Sequence, residues 1–447
     1  MHLETSFEDE ESPKTKKKKA EQAYGQLIKR KKKKAAKGMD HLSKLPDELI
    51  ITILSFLPTH ITARTSVLSR RFRHLWKAAP SLQFISPKLP SLHHLIALVN
   101  RVLCHRHPSH SLFSLHLDLK YYGIDHIPDS SIRPLFSNAF FLSLHHLTIE
   151  GSDLFFTLPR IFSISSLKSL SLDFIREYRL ETFPSGFTLP FLRKLSLRLF
   201  FIDSARINQL VSELCSLEDL HLEIQGIDSL SLSSQTIRNL ELIIVSNSSK
   251  FKTLELFLPS LESIHLEKRG FFCLHQSLSG IHLEVPLLKK AVIFLSVNDL
   301  SHLSVENPKA VGALKKLLKC ISHVEELSLH VKDKEHDGVP VCLGTRKRMP
   351  KFSNLKRLDV GLCFHEYNIR AVIMMLHNCP ALESLNLKFY EIRKVGRSRK
   401  GRQRKEWEAK LLHNANGNYY YVYLRNLNLQ ENRLELWKFM GNQEMSI

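Results

Sequence analysis

The apolar residues of this chain follow two patterns. From residue 112 onward, leucine or a close substitute recurs as L-x-x-L-x-L. The units are Leu112-Leu115-Leu117, Leu144-Leu147-Ile149, Leu167-Leu170-Leu172, Leu192-Leu195-Leu197, Leu217-Leu220-Leu222 and Ile237-Leu240-Leu242. They continue as Leu261-Ile264-Leu266, Leu288-Ala291-Ile293, Val324-Leu327-Leu329, Leu355-Leu358-Val360 and Leu382-Leu385-Leu387, with Leu424-Leu427-Leu429 a twelfth candidate. From Leu144 to Leu288 the starts lie 20 to 27 residues apart. Side chains alternate at period two in a strand, so the pattern predicts short strands with leucines on one side. The residue between the last two apolar positions is polar in nearly every unit (Thr148, Ser171, Ser196, His221, Glu241, His265, Ser328, Asp359, Asn386; Val292 is the exception). A solvated sheet face demands that. One such unit cannot bury its own leucines, whereas stacked units share a continuous core.

The second pattern is helical. Leu45, Leu49, Ile53 and Leu57 recur every four residues beside Ile50 and Leu54, after a Pro46-Asp47-Glu48 start that suits a helix N-terminus. Pro58 ends that helix. Thr62 to Leu68 predicts a short second helix, and Ser69 caps a third in which Phe72, Leu75 and Trp76 share a face with Leu68. Leu92, Leu95, Ile96, Val99 and Leu103 predict a connecting helix. Helical return segments are expected at Ile207–Leu214, Pro308–Ile321 and Tyr367–Leu376.

Both patterns resemble known families. Leu45-Pro46-Asp47-Glu48-Leu49, Ile53 to Pro58, Thr65 to Arg71 and Leu75-Trp76 together resemble an F-box of the form common in plants, with Phe72 where that family usually has Trp. The resemblance implies docking on the Skp-type adaptor of a cullin-RING ubiquitin ligase. It makes Leu45, Pro46, Ile50, Leu54, Leu57, Leu68 and Trp76 candidates for the adaptor face or its immediate support. The repeats resemble the leucine-rich repeats that follow the F-box in many plant proteins, and 20 to 27 residues is close to their period. The Asn or Cys expected two residues after L-x-L is replaced by Ser152, Ile175, Phe200 and Gln225, so no regular Asn ladder and an irregular convex side are expected. Phe352 to Leu387 resembles the start of the FBD-type region of the same plant proteins.

The expected fold class is α/β: a small N-terminal three-helix F-box module followed by an irregular leucine-rich-repeat α/β solenoid. The expected divisions are a disordered basic tail at 1–38, the F-box at 39–84, a connecting helix at 85–110, the solenoid at 111–390, a basic mobile loop at 391–416 and a terminal repeat at 417–447.

Charge sharpens this division. The chain of 447 residues carries a net +20, but residues 1–38 hold 12 basic and 6 acidic residues, and 393–405 hold 8 basic and none acidic. The remaining body is only mildly basic, so a nucleic-acid surface over the folded core is not implied. Residues 1–38 are too charged and too poor in apolar groups to fold alone. Lys16, Lys17, Lys18 and Lys19, then Lys31, Lys32, Lys33 and Lys34, suit a nuclear import signal, which predicts a nuclear and in part cytoplasmic protein. The start has no apolar run of a secretory signal, and no apolar stretch is long enough for a membrane span.

The seven cysteines are odd in number and spaced apart, which argues against a zinc site or a disulfide framework. No phosphate-binding, dinucleotide-binding, zinc-protease or nucleophile-elbow motif occurs. No cofactor and no catalysis by the chain itself are expected. The expected role is the substrate-recognition subunit of a ligase of the Skp-adaptor, cullin and F-box type. The F-box would dock the adaptor and, through it, the cullin, and the repeats would bind a target protein. Target-binding candidates are the outward residues Ser171, Lys194, Ser196, Arg198, Asp219, His221 and Glu223, whose alternating signs predict a charge-mosaic partner. The alternative is a non-enzymatic scaffold holding nucleic acid or another anionic partner through the basic segments.

Overall fold

The computed structural model describes residue 42 and residues 44–85, 92–107, 109–118, 143–150, 161–173, 189–200, 203–246, 251, 253–270, 280–297, 315–333, 349–363, 375–390, 406–413 and 420–425. The chain divides into two compact units, Met1–Leu57 with Ile61–Ala79, and Pro58–His60 with Pro80–Ile447.

The first unit is helical. Its elements are α1 (Asp47–Ser55), most of α2 (Thr59–Arg64), a 3-10 turn at Thr65–Val67, α3 (Phe72–Leu75) and a second 3-10 turn at Trp76–Ala78. Ile50, Leu54 and Phe72 form its core, with Leu45, Leu57, Leu75 and Trp76 packed against them. Phe72 fills the core position, so it supplies the apolar bulk that the usual Trp would. The Thr62 hydroxyl donates to the carbonyl of Leu54 at 3.0 Å, satisfying a group that the end of α1 leaves without a helical partner. Arg71 ties down the other end: it donates to the Leu45 carbonyl at 2.7 Å and pairs with Asp47. Ser69 accepts from the Phe72 N–H at 3.3 Å, the local bond expected of a capping serine.

The second unit is a stack of strands. Its main sheet runs β1 (Ser81–Phe84), β2 (Ser114–Asp118), β3 (His146–Glu150), β4 (Ser169–Asp173), β5 (Lys194–Phe200), β6 (Asp219–Gln225), β8 (Asn239–Ser246), β10 (Ser263–Gly270), β12 (Lys290–Val297), β13 (Glu326–Asp333), β14 (Arg357–Cys363), β15 (Ser384–Tyr390), β16 (Glu406–His413) and β17 (Tyr420–Arg425), in that spatial order. Pairing is parallel from β1 to β15 and antiparallel across β15–β16–β17. In the first eleven repeat units every apolar position is buried, except Leu387, which is half-buried. The alternation predicted from L-x-L is the burial pattern found, as in the strand Asp219–Gln225.

Several elements differ from expectation. Ser81–Phe84, assigned from sequence to the helical module, pairs with β2 and starts the sheet. The helix α4 (Leu92–Cys104), read as a connector, is counted with the second unit and buries Leu95, Ile96, Val99, Val102 and Leu103. Glu406–His413 lies within the expected mobile loop, yet it is a strand; it lacks the L-x-x-L-x-L spacing that marked the others.

The return side is also more regular than expected in its middle. The strands β7 (Ser229–Ser233), β9 (Thr253–Phe257) and β11 (Gly280–Glu284) form a second, parallel sheet in the order β11-β9-β7. They follow the apolar spacing of the motif, led by Ile227, Phe251 and Leu278, and each starts ten residues before a main-sheet unit. Their leucines pair in register (Leu230, Leu254 and Ile281) and are buried. Gly226, with φ 78°, turns the chain between β6 and β7, a conformation that glycine takes without penalty. Beside β7 stands α5 (Ser204–Glu213), which covers the expected helix at 207–214 and is capped by the Asp203 side chain at the N–H of Ala205. Ser204 Oγ and Asn208 Oδ1 of α5 accept the N–H groups of Ser231 and Ser233 at 2.9 and 2.8 Å, closing the edge of the small sheet. Of the other expected return helices, 315–320 and 375–376 are helical, Ile321 lies in the turn that follows the first, and the rest of both stretches lies outside the described residues.

The stack is held in register by backbone rather than by an Asn ladder. Just before each strand one carbonyl accepts two N–H groups of the next repeat. Pro80, Phe113, His145, Lys168, Arg193, Glu218, Arg238, Glu262, Lys289, Glu325 and Lys356 do this in turn, at 2.8 to 3.2 Å. Serines one position before the repeat motif add a second line. Ser166, Ser216 and Ser260 donate to the carbonyls of Leu144, Pro190 and Gln235 at 2.7, 2.7 and 2.6 Å.

Candidate protein-binding surfaces

Helix α1 has apolar side chains on two rows, and the helical unit buries one of them. Ile50 and Leu54 are core, so they support a surface from beneath. Leu45, Leu57 and Trp76 are half-buried against that core, and Pro46 is exposed. The other row, Leu49, Ile53 and Phe56, faces solvent at i, i+4 and i+7. Phe56 is 75% exposed, Val67 85% and Leu68 62%, and Ile61 is also exposed. Of these, only Leu68 is among the candidates from sequence. The double row is legible in the sequence: Leu49, Ile53 and Phe56 beside Ile50, Leu54 and Leu57, along and just past the nine-residue α1, give more apolar surface than three short helices cover. Exposed apolar side chains gathered on so small a unit mark a protein-docking face.

The outward face of the main sheet has a different character. All seven target-binding candidates lie on it. In register, Ser171, Ser196, His221, Glu241 and His265 form a central row across β4, β5, β6, β8 and β10. An open groove of about 420 Å³ runs along this row, lined also by Ser169, Lys194, Asp219, Asn239 and Ser263. The alternating signs read from sequence are largely spent within the sheet. Lys194 Nζ meets Asp219 at 2.8 Å, and Arg198 bridges Asp173 at 3.1 Å and Glu223 at 2.9 Å. Arg269 pairs with Glu267 at 2.7 Å and lies 3.7 Å from Glu223.

Titration behaviour follows these contacts. The hydrogen bond to Asp219 raises Lys194 above its ordinary value. Burial works to raise Asp219, but the donors Lys194 and Asn239 outweigh it and hold the carboxyl below its usual range. The hydrogen bond to Glu267 raises Arg269, against the effect of burial.

A rim of alternating charge runs beside this face. The second position of the repeat motif reads Arg193, Glu218, Arg238, Glu262, Lys289, Glu325, Lys356, Glu383. Neighbours pair at 3.7 Å (Arg193–Glu218), 3.5 Å (Arg238–Glu262), 2.9 Å (Lys289–Glu262) and 2.9 Å (Lys356–Glu325). The hydrogen bonds from Lys289 and Lys356 hold the Glu262 and Glu325 carboxyls below their ordinary value.

Among the described residues no group of three or more His, Cys, Asp or Glu side chains is placed to hold a metal ion, and no helix is long and apolar enough to cross a membrane. Lys268 is buried with its ammonium over the Phe251 ring at 5.3 Å, on the core side of β10. The import candidates at 16–19 and 31–34 and the basic run 393–405 lie outside the described residues.

Comparison with known proteins matches both units of the chain. Residues 42–83 match the F-box domain, and residues 106–415 match the family described as At1g61320/AtMIF1, LRR domain. The chain is 27% identical over 379 residues to the putative F-box/FBD/LRR-repeat protein At4g00315 of Arabidopsis thaliana, covering 78% of this chain and 77% of that one. It is 27% identical over 369 residues to the FBD-associated F-box protein At5g60610 of the same plant, covering 78% and 83%. A third relative there, the F-box/FBD/LRR-repeat protein At3g52680, is 32% identical over 201 residues, covering 43% and 42%.

Proposed function

The chain belongs to the plant F-box/LRR-repeat family, and on that premise we propose that it is the substrate-recognition subunit of a ubiquitin ligase of the Skp-adaptor, cullin and F-box type. Proteins of this family serve in general as non-catalytic adaptors. The observation that carries the proposal is the number of exposed apolar side chains on the helical unit, Leu49, Ile53, Phe56, Val67 and Leu68, outside the core of Ile50, Leu54 and Phe72. That face fits the adaptor, and the adaptor links it to the cullin. The sheet face of the solenoid takes the target protein. The chain then acts by proximity: tethering raises the effective concentration of target lysines near the ubiquitin carrier.

A pull-down with a Skp-type adaptor and cullin tests this. The wild-type chain retains both, and Leu45→Ala/Pro46→Ala, which removes an exposed proline and its packed neighbour at the start of α1, retains neither. A folded wild-type chain that retains no adaptor refutes the proposal.

The lysine clusters at 16–19 and 31–34 support a further part of it, import into the nucleus. Residues 1–38 fused to a fluorescent reporter concentrate it in the nucleus, and changing both clusters to Ser disperses it; equal distribution of the two reporters argues against import.

A further inference from the structure

The outward face of the main sheet around the groove carries charge opposite to the chain as a whole, and the groove itself is lined by Asp219, Glu241 and Lys194. Over β4, β5, β6, β8 and β10 the charged outward residues are Asp173, Lys194, Arg198, Asp219, Glu223, Glu241, Glu267 and Arg269, five carboxylates against three cations. The whole chain is at +20. A phosphate-bearing ligand gains nothing here, and a cationic one does.

All three cations are already engaged, each within 3 Å of a carboxylate: Lys194 on Asp219, Arg198 on Glu223 and Arg269 on Glu267. Glu241 is different. Its oxygens face two imidazoles, His221 Nδ1 at 2.8 Å and His265 Nδ1 at 3.8 Å, and no Lys or Arg among the described residues stands within ion-pair distance. It sits in the central row between His221 and His265, and its side chain keeps 44% of its exposure. Four hydroxyls, Ser169, Ser171, Ser196 and Ser263, line the same groove and make no side-chain hydrogen bond among the described residues. The groove therefore offers one carboxylate without a full cationic partner and several free acceptors. An ammonium carries three donors and a guanidinium five, and both need such a set.

We infer that this groove takes a lysine or arginine side chain from an extended segment of the target, with Glu241 as its anchor and the serine hydroxyls as further acceptors. The inference rests on the proposed role of the sheet face in target recognition and names the chemistry that it reads. The backbone groups of the strands are used in the sheet, so recognition is by side chains alone. The salt bridges around Glu241 hold the flanking residues in place, which lowers the ordering cost of binding.

Fluorescence anisotropy with two capped, labelled heptapeptides, Gly-Ser-Lys-Ser-Lys-Ser-Gly and its Glu counterpart, tests the inference on the full chain. The lysine peptide binds and the glutamate peptide does not. Glu241→Gln weakens the lysine peptide by about tenfold or more, the scale of one charge-assisted hydrogen bond. Glu284→Gln, at an exposed carboxylate on β11 of the other sheet, leaves its affinity unchanged. Equal binding of both peptides, or an unaltered affinity in Glu241→Gln, overturns the assignment. Tighter peptide binding after Lys31 to Lys34 are changed to Ser would make the chain's own lysine cluster the occupant and overturn it as well. The same preparations are assayed for adaptor binding. A chain that holds the adaptor but not the lysine peptide refutes this inference and leaves the ligase role intact.

Discussion

The helical unit and the solenoid meet solvent in opposite ways. The helical unit leaves Leu49, Ile53, Phe56, Val67 and Leu68 exposed together, and its main surface ion pair is Arg71 with Asp47. The sheet face of the solenoid is polar, and its charges are mostly paired with one another across neighbouring strands. Among the described residues, the exposed large apolar side chains of the solenoid, Phe113, Phe191 and Leu287, are spread over distant repeats. A small unit with unspent apolar surface gains most by covering it, and removal of that surface from water is non-directional and strong. A surface of paired charges gains little bulk affinity from a partner, and discriminates between partners instead. The first surface suits one constant partner, the second a selected one.

The largest effect that separates the two units is core truncation. Leu54→Ala and Leu222→Ala each remove a fully buried leucine side chain and cost about 2–5 kcal/mol. In the helical unit the loss falls on a three-residue core and abolishes its ordered state. In the solenoid it is confined to the neighbouring repeats, since each repeat contacts only those beside it. Hydrogen exchange reads both. Opening of the whole sheet in Leu222→Ala would contradict the one-dimensional account.

Much of this division is legible in the sequence, and the reason is local. L-x-x-L-x-L states both which residues form a strand and which side faces the core, so the main sheet from β2 to β15 follows from it directly, whereas β1 and β16 do not. The strands Ser229–Ser233, Thr253–Phe257 and Gly280–Glu284 have the same spacing, led by Ile227, Phe251 and Leu278, but each starts ten residues before a main-sheet unit and so falls outside the 20-to-27-residue period by which the repeats are counted. The two rows of α1 are equally apolar in sequence; only packing against Phe72 decides that Ile50 and Leu54 go inside while Ile53 and Phe56 stay out. The mosaic of signs on the sheet face is visible in sequence, but its meaning depends on register. Lys194 opposite Asp219 turns two binding candidates into a pair.

The smallest effect belongs to the rim. Glu262→Gln/Glu325→Gln removes two carboxyls that Lys289 and Lys356 hold below their ordinary value. A carboxyl with a depressed value contributes stability above its unfolded value and loses it as pH falls through the folded one. Both side chains are only partly exposed, at 38% and 45%, but their pairs stand on the rim within reach of solvent, so at pH 7 the double variant melts within about 2 °C of wild type. The difference shrinks as pH falls through the folded values and as salt is raised. A shift of 10 °C at pH 7 would show that the rim, rather than the leucine core and the backbone ladder, holds the stack together.

The central claim is that the exposed row of the helical unit docks the adaptor while the buried row only supports it. Its most direct test is an equilibrium titration of purified Skp-type adaptor against the wild-type chain and Phe56→Asp/Val67→Asp, with the melting of each followed by circular dichroism. The account predicts a loss of affinity of about a hundredfold or more, as for side chains at the centre of an interface, with melting unchanged. Undiminished affinity in the folded double variant would contradict it.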